Sequence, residues 1–157
     1  MGSNPIGSTF FAFLKSAGFG GILADDMGLG KTLQIICILA TAKEEEGCDA
    51  LVIVLRSLIF NWVDELEKFC PTLSHHIHHG IQRHSQDDSF NKADVIITTY
   101  GTVVNDIETF RKINFSHIIL DESQAIKNPV SKKFKSIRLL KSSFKICATG
   151  TPIQNNF

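Results

Sequence analysis

The chain has 157 residues, enough for one domain with a substantial core, and its 43% hydrophobic and 20% charged content is that of a soluble globular domain. The longest apolar run, Leu33 to Ala42, is broken by Gln34 and Thr41 and is too short to span a bilayer, so no membrane partner is expected. Net charge is zero but segregated: every acidic residue lies at or before Glu122, and from Lys127 onward there are seven basic residues and no acid. That basic end is either a polyanion-facing side or a solvated lysine-rich helix face, and charge alone does not choose. The four cysteines, Cys37, Cys48, Cys70 and Cys147, contain no CxxC and read as buried free thiols in a reducing cytosol.

Residues 1–8 read as a tail or cloning remnant, without the basic-then-apolar pattern of a secretory signal. Thr9 to Ala17 has Phe10, Phe13, Leu14 and Ala17 at helical spacing, with Gly18 to end it. A first strand is expected at about Ile22 to Asp25. The glycine-rich stretch Asp25 to Thr32 follows it, and then a helix over Leu33 to Ala42. That helix is apolar on most sides and is expected to be buried widely, ending at Lys43 to Gly47. Ala50 to Leu55 is a continuous β-branched run, suited to a parallel strand covered on both faces. Ser57 is expected to cap a helix with the stripe Leu58, Trp62, Leu66 and Phe69, which Cys70-Pro71 ends. His75 to His79 reads as a strand, Asp87 to Asn91 as a loop, and Asp94 to Thr99 as a buried strand. Val103, Ile107 and Phe110 mark a helix. His117 to Leu120 is a strand ending at Asp121-Glu122. Val130, Phe134, Ile137 and Leu140 form the stripe of a helix with a basic outer face, and Phe144 to Ala148 is a last strand.

Strand and helix alternate throughout, which predicts a parallel, doubly wound α/β sheet. Ligands bind such sheets at the carboxyl ends of the strands. The loop after Asp25, Thr98-Thr99-Tyr100, Asp121-Glu122 and Thr149-Gly150-Thr151 should therefore share one edge.

The chemistry concentrates on two of these segments. Gly28-Leu29-Gly30-Lys31-Thr32 sits between a strand and a helix, as a phosphate-binding loop does. Glycines let backbone N–H groups turn onto a phosphate, and the helix N-terminus adds partial positive charge. Lys31 can reach terminal phosphates and the Thr32 hydroxyl can ligate Mg²⁺. The first glycine position of GxxxxGK[ST] holds Asp25 instead, and a tight glycine turn before a buried helix is the bland alternative. Asp121 stands at the tip of an apolar strand, where it can hold Mg²⁺, and Glu122 can polarise an attacking water. No arginine is obviously placed to compensate charge at a γ-phosphate. The histidines make a weak metal site compared with an exposed edge strand, and Trp62 reads as core or half-buried rather than a base-stacking platform.

Gly21 to Thr32 resembles the first motif of the Swi/Snf family of superfamily-two helicase-like ATPases, a family that also lacks the first-position glycine. Ser57 to Trp62, Thr98 to Thr102, Asp121 to Pro129 and Thr149 to Asn156 are similar to its following motifs, in the family's order. The resemblance implies a RecA-like P-loop three-layer fold, with a mostly parallel β-sheet flanked by helices and residues 9–157 forming a first lobe. It implies ATP and Mg²⁺ as cofactors, double-stranded DNA and a second RecA-like lobe as partners, and ATP-driven movement along DNA. It assigns nucleotide binding to Asp25, Met27, Gly28, Leu29, Gly30, Lys31, Thr32 and Asp121. Lys31, Asp121, Glu122 and Gln124 are catalytic on this reading, and Thr32 and Asp121 are the metal ligands. Thr149, Gly150 and Thr151 couple hydrolysis to movement, and Ser57, Asn61, Thr99, Tyr100 and Gly101 face the DNA backbone. Gln124, where many members have histidine, looks more like bacterial members and implies a bacterial cytoplasm, or a nucleus in a eukaryote. The family's adenine-contacting patch has no counterpart before the first helix. The arginines expected from a second lobe are also missing, so this chain alone is expected to be nearly inactive. The contrasting reading is a nucleic-acid-binding or interaction module with a vestigial nucleotide site.

Overall fold

The structure, a computed structural model, describes residues 21–24, 30–81, 83, 92–123 and 130–149. The helix expected over 9–17 lies outside the described residues, as do Asp25, Met27, Gly28, Leu29, Gln124, Gly150 and Thr151. Along the chain run β1 (Gly21–Ala24), α1 (Lys31–Glu45), β2 (Ala50–Val54), a 3-10 turn (Arg56–Leu58) and α2 (Ile59–Phe69). Then come β3 (His75–Ile77), β4 (Val95–Thr99), α3 (Tyr100–Asn105), α4 (Ile107–Phe110), β5 (Asn114–Leu120), α5 (Lys132–Leu139) and β6 (Lys141–Thr149).

The six strands form one sheet in the order β1-β6-β5-β2-β4-β3, every pair parallel. Strand periodicity divides its side chains between two cores. Leu51, Ile53, Ile96, Ile118, Leu120 and Cys147 face α3 and α5, where they meet Tyr100, Val103, Phe134 and Ile137. Ala50, Val52, Val54, Val95, Ile97, Ile119 and Ala148 face α1 and α2, where they meet Ile35, Ile36, Leu39, Trp62 and Leu66. Helices on both faces make the three-layer arrangement the alternating elements imply. They also explain why β2 and β4 are buried along their whole length. Each large aliphatic side chain taken out of water here stabilises the fold by about 1.5–3 kcal/mol.

Register puts the functional segments on one edge. Ala24 pairs with Thr149, Leu120 with Cys147 and with Ile53, and Val54 with Thr99. All strands point the same way, so the carboxyl ends of β1, β2, β4, β5 and β6 lie on the same side of the sheet, as alternation predicts.

Several local expectations are corrected. α1 buries only one stripe, Ile35, Ile36 and Leu39, while Ile38 is 40% exposed and Cys37 is exposed. A helix on one sheet face can present one side to it, so an all-round apolar sequence leaves an apolar outer face. Cys37 is thus not a buried thiol, whereas Cys48 and Cys147 are. Ser57 caps nothing: the 3-10 turn intervenes, and Leu58 precedes α2 without a side-chain bond. Phe69, in the last turn of α2, stays exposed, and Leu73 from the next turn enters the core instead. Val130 also stays exposed, ahead of α5, whose first turn is capped by Ser131 through its Oγ and the Phe134 N–H.

The expected helix over Val103 to Phe110 is two short helices broken at Asp106. The Asp106 carboxylate binds elsewhere, accepting from Arg83 Nε at 2.6 Å and meeting His78 Nε2 at 2.7 Å. His78 is therefore not on an exposed edge strand. It follows the three-residue β3 and is fully buried. Burial pushes its imidazole below the ordinary value, against the pull of Asp106. The Arg83 guanidinium, more than His78, holds the Asp106 carboxyl below the usual carboxylate range.

Candidate nucleotide site

Two elements bring the charged groups together. α1 starts at Lys31, two residues earlier than the apolar pattern alone suggests, directly after Gly30 at φ 80°. That left-handed turn suits glycine because an added Cβ would strain the backbone there. Lys31 and Thr32 thus lie in the first turn of the helix, where N–H groups have no helical acceptor and the dipole favours anions. No acidic residue occupies that turn. From the centre of the sheet, β5 delivers Asp121, whose N–H extends the pairing with β2 by donating to Ile53 O at 2.9 Å.

Lys31 Nζ stands 3.2 Å from Asp121 Oδ1 and 3.1 Å from Glu122 Oε1. Lys31 and Asp121 are both nearly inaccessible, at 5% and 3% exposure. One buried ammonium thus meets two carboxylates beside a helix N-terminus. Glu122 is the one non-glycine with positive φ (49°) among the described residues. The sharp turn lets Asp121 Oδ1 accept the Glu122 N–H at 3.0 Å, and it aims both carboxylates at Lys31.

Asp121 is held from two further sides. Trp62 Nε1 on α2 donates to Asp121 Oδ2 at 2.8 Å, and the Tyr100 hydroxyl on α3 donates to the Asp121 carbonyl at 2.6 Å. Burial above all, with Cys147, Asp121 and Glu122 adding, holds the Tyr100 phenol well above its usual value, so it remains a donor. Tyr100, expected to belong to a motif that faces the DNA backbone, has its ring in the core and its hydroxyl on the Asp121 carbonyl. Thr99 is also buried, and its Oγ caps α3 by accepting from the Thr102 N–H. Ser57, Asn61 and Gly101 are exposed, on the segments that follow β2 and β4 at the same edge. Thr149 ends β6 beside Ala24 of β1.

Sequence reasoning read Trp62 as core or half-buried and missed its bond to Asp121. The available signal was chemical: a buried indole N–H takes an acceptor, and its helix leaves the same sheet edge as Asp121. A groove of about 760 Å³ lined by Cys37, Ile38, Glu45, His117 and Phe144 lies toward the amino-terminal part of β6. None of the carboxyl-edge groups lines it.

Comparison with known proteins gives this geometry a family. Residues 7–157 match the model of the SNF2-related domain. The chain is 40% identical over 154 residues to the Bacillus subtilis protein YwqA, named as an ATP-dependent helicase/translocase, covering 95% of this chain and 17% of that protein. It is 38% identical over 176 residues to human TATA-binding protein-associated factor 172, covering 96% of this chain and 9% of that one. Among solved structures, the Sulfolobus solfataricus SWI2/SNF2 ATPase core in complex with double-stranded DNA superposes with a TM-score of 0.79 at 39% identity, over 99% of this chain and 34% of that one. The chain therefore spans less than a fifth of these curated relatives and about a third of that ATPase core. The match runs through nearly the whole chain, from before the first strand to its end: the chain belongs to the SNF2-related domain family.

Proposed function

We propose that this chain is the first, ATP-binding lobe of a DNA-dependent ATPase that moves along double-stranded DNA when joined to a second RecA-like lobe. The observation that carries this is Lys31 Nζ within 3.2 Å of both Asp121 and Glu122 at the carboxyl edge of a parallel sheet. Relatives named as ATP-dependent helicases and a structural neighbour solved with double-stranded DNA support the reading.

The residues fit Mg²⁺ by the chemistry of their donors. Asp121 Oδ1 and the Thr32 hydroxyl are hard oxygen donors of the kind Mg²⁺ takes. Bound there, Mg²⁺ would offset charge on the phosphates of ATP. Lys31 turns from the carboxylates to the phosphates as they enter, which frees Glu122 Oε1 to take a proton from water. Gln124 and the segment Thr149-Gly150-Thr151 would link the nucleotide to movement. Ser57, Asn61 and Gly101 supply hydroxyl, amide and backbone groups for sequence-independent phosphate contacts. On Gln124 we also place the protein in a bacterial cytoplasm, with the nucleoid; a fluorescent fusion spread evenly through the cell and excluded from DNA would count against this.

The test is ATP turnover by the two-lobed protein, with and without duplex DNA, over a salt series. Turnover should rise with DNA and the rise should fade with salt. Lys31→Ala and Glu122→Gln should each abolish turnover while the protein stays folded. A protein that binds DNA but hydrolyses ATP no faster than these two variants would instead be a binding module with a vestigial site.

A further inference from the structure

We propose that Trp62 is a positioning residue that holds the plane of the Asp121 carboxylate, so that the oxygen away from Trp62 faces the metal. The inference rests on the reading of Asp121 as a Mg²⁺ holder given above. Trp62 is fully buried, and its one polar atom, the donor Nε1, lies 2.8 Å from Asp121 Oδ2. The partner is a carboxylate oxygen at the charged edge of the sheet, 59 residues away in sequence.

The consequence for Asp121 is directional. Rotation about the last side-chain bond of an aspartate is broad, so by itself the plane of the carboxylate is poorly fixed. Here Trp62 takes Oδ2 from the α2 side. Oδ1 is left facing Lys31 at 3.2 Å and the Glu122 N–H at 3.0 Å. The backbone under it is fixed as well, through the Asp121 N–H to Ile53 and the Tyr100 hydroxyl to the Asp121 carbonyl. Four elements thus converge on one residue, and Trp62 supplies the contact that sets the plane of its carboxylate. Partners of this kind behind a metal-binding carboxylate are worth about 10–100-fold in metal affinity or activity. A tryptophan that only filled space would require no alignment of its N–H with the charged group.

The test replaces the donor while keeping the volume. β-(3-benzothienyl)alanine at position 62 puts sulfur in place of N–H, and Trp62→Phe provides a second variant should the first express poorly. In the full-length protein, Mn²⁺ binding is followed by electron paramagnetic resonance with a non-hydrolysable ATP analogue, and turnover is measured against Mg²⁺ concentration. The proposal expects the Mn²⁺ dissociation constant and the half-saturating Mg²⁺ concentration to rise about tenfold in both variants. Values within about twofold of wild type in the benzothienyl variant, with Asp121→Asn losing metal binding, would overturn the role of Trp62 and leave Asp121 intact. Normal metal binding by Asp121→Asn would instead remove the underlying reading, and the role of Trp62 with it.

Discussion

Removing the Lys31 ammonium tests the electrostatics of the site in the absence of any ligand. Lys31→Ala removes the ammonium that stands 3.2 Å from Asp121 Oδ1 and 3.1 Å from Glu122 Oε1. At an effective dielectric of about 20, each contact near 3.1 Å is worth roughly 5 kcal/mol of Coulomb attraction before desolvation is counted. The net loss is smaller, because the ammonium no longer has to be held out of water. Truncating one partner of a buried pair costs about 3–5 kcal/mol. Glu122 is 21% exposed on its side chain and can relax toward water, which favours the lower end, about 3 kcal/mol. A 157-residue domain with an ordinary total of about 5–15 kcal/mol survives that loss and stays folded. Adding Glu122→Gln to Lys31→Ala removes one of the two stranded carboxylates and should restore about half of the deficit. Urea unfolding of the chain reads this directly, since Trp62 is its one tryptophan and packs on Asp121. Wild-type stability in Lys31→Ala, or a double variant less stable than the single one, would refute the charge argument.

Three further outcomes follow from particular contacts. Tyr100→Phe deletes the donor to the Asp121 carbonyl in the core; a loss of about 1–2 kcal/mol and a fall in Tm of roughly 2–8 °C should appear by calorimetry. Burial lowers the imidazoles of His78 and His117 in the folded state, so the unfolded chain takes up protons first as pH falls. The stability these neutral histidines confer is present above about pH 6.5, their ordinary value, and is lost below it. Unfolding free energy should therefore decline between pH 7 and pH 5.5, and His78→Gln should flatten part of that decline. Thiol alkylation of the native chain should mark Cys37 first and Cys70 more slowly. Cys48 and Cys147 should react only in urea, because both are buried and burial pushes the Cys48 thiol up to about 11 and the Cys147 thiol higher still.

Alternation of strand and helix patterns was enough to fix the parallel sheet, the two covering layers and the edge on which Lys31, Asp121 and Thr149 end, because strand direction and side-chain period are local properties of the chain. The chemistry of the phosphate loop and of Asp121-Glu122 was legible for the same reason: residue types at fixed short spacing between defined elements. Tertiary structure decided what depends on register between distant segments. It placed Lys31 against Glu122 across 91 residues, Trp62 against Asp121 across 59, and turned Tyr100 inward to a carbonyl 21 residues on. It also chose which apolar side of α1 meets the sheet and so left Cys37 and Ile38 outside. A pattern of apolar residues says that a side chain can be buried; only the packed neighbour says which ones are, and which polar atom each then has to satisfy.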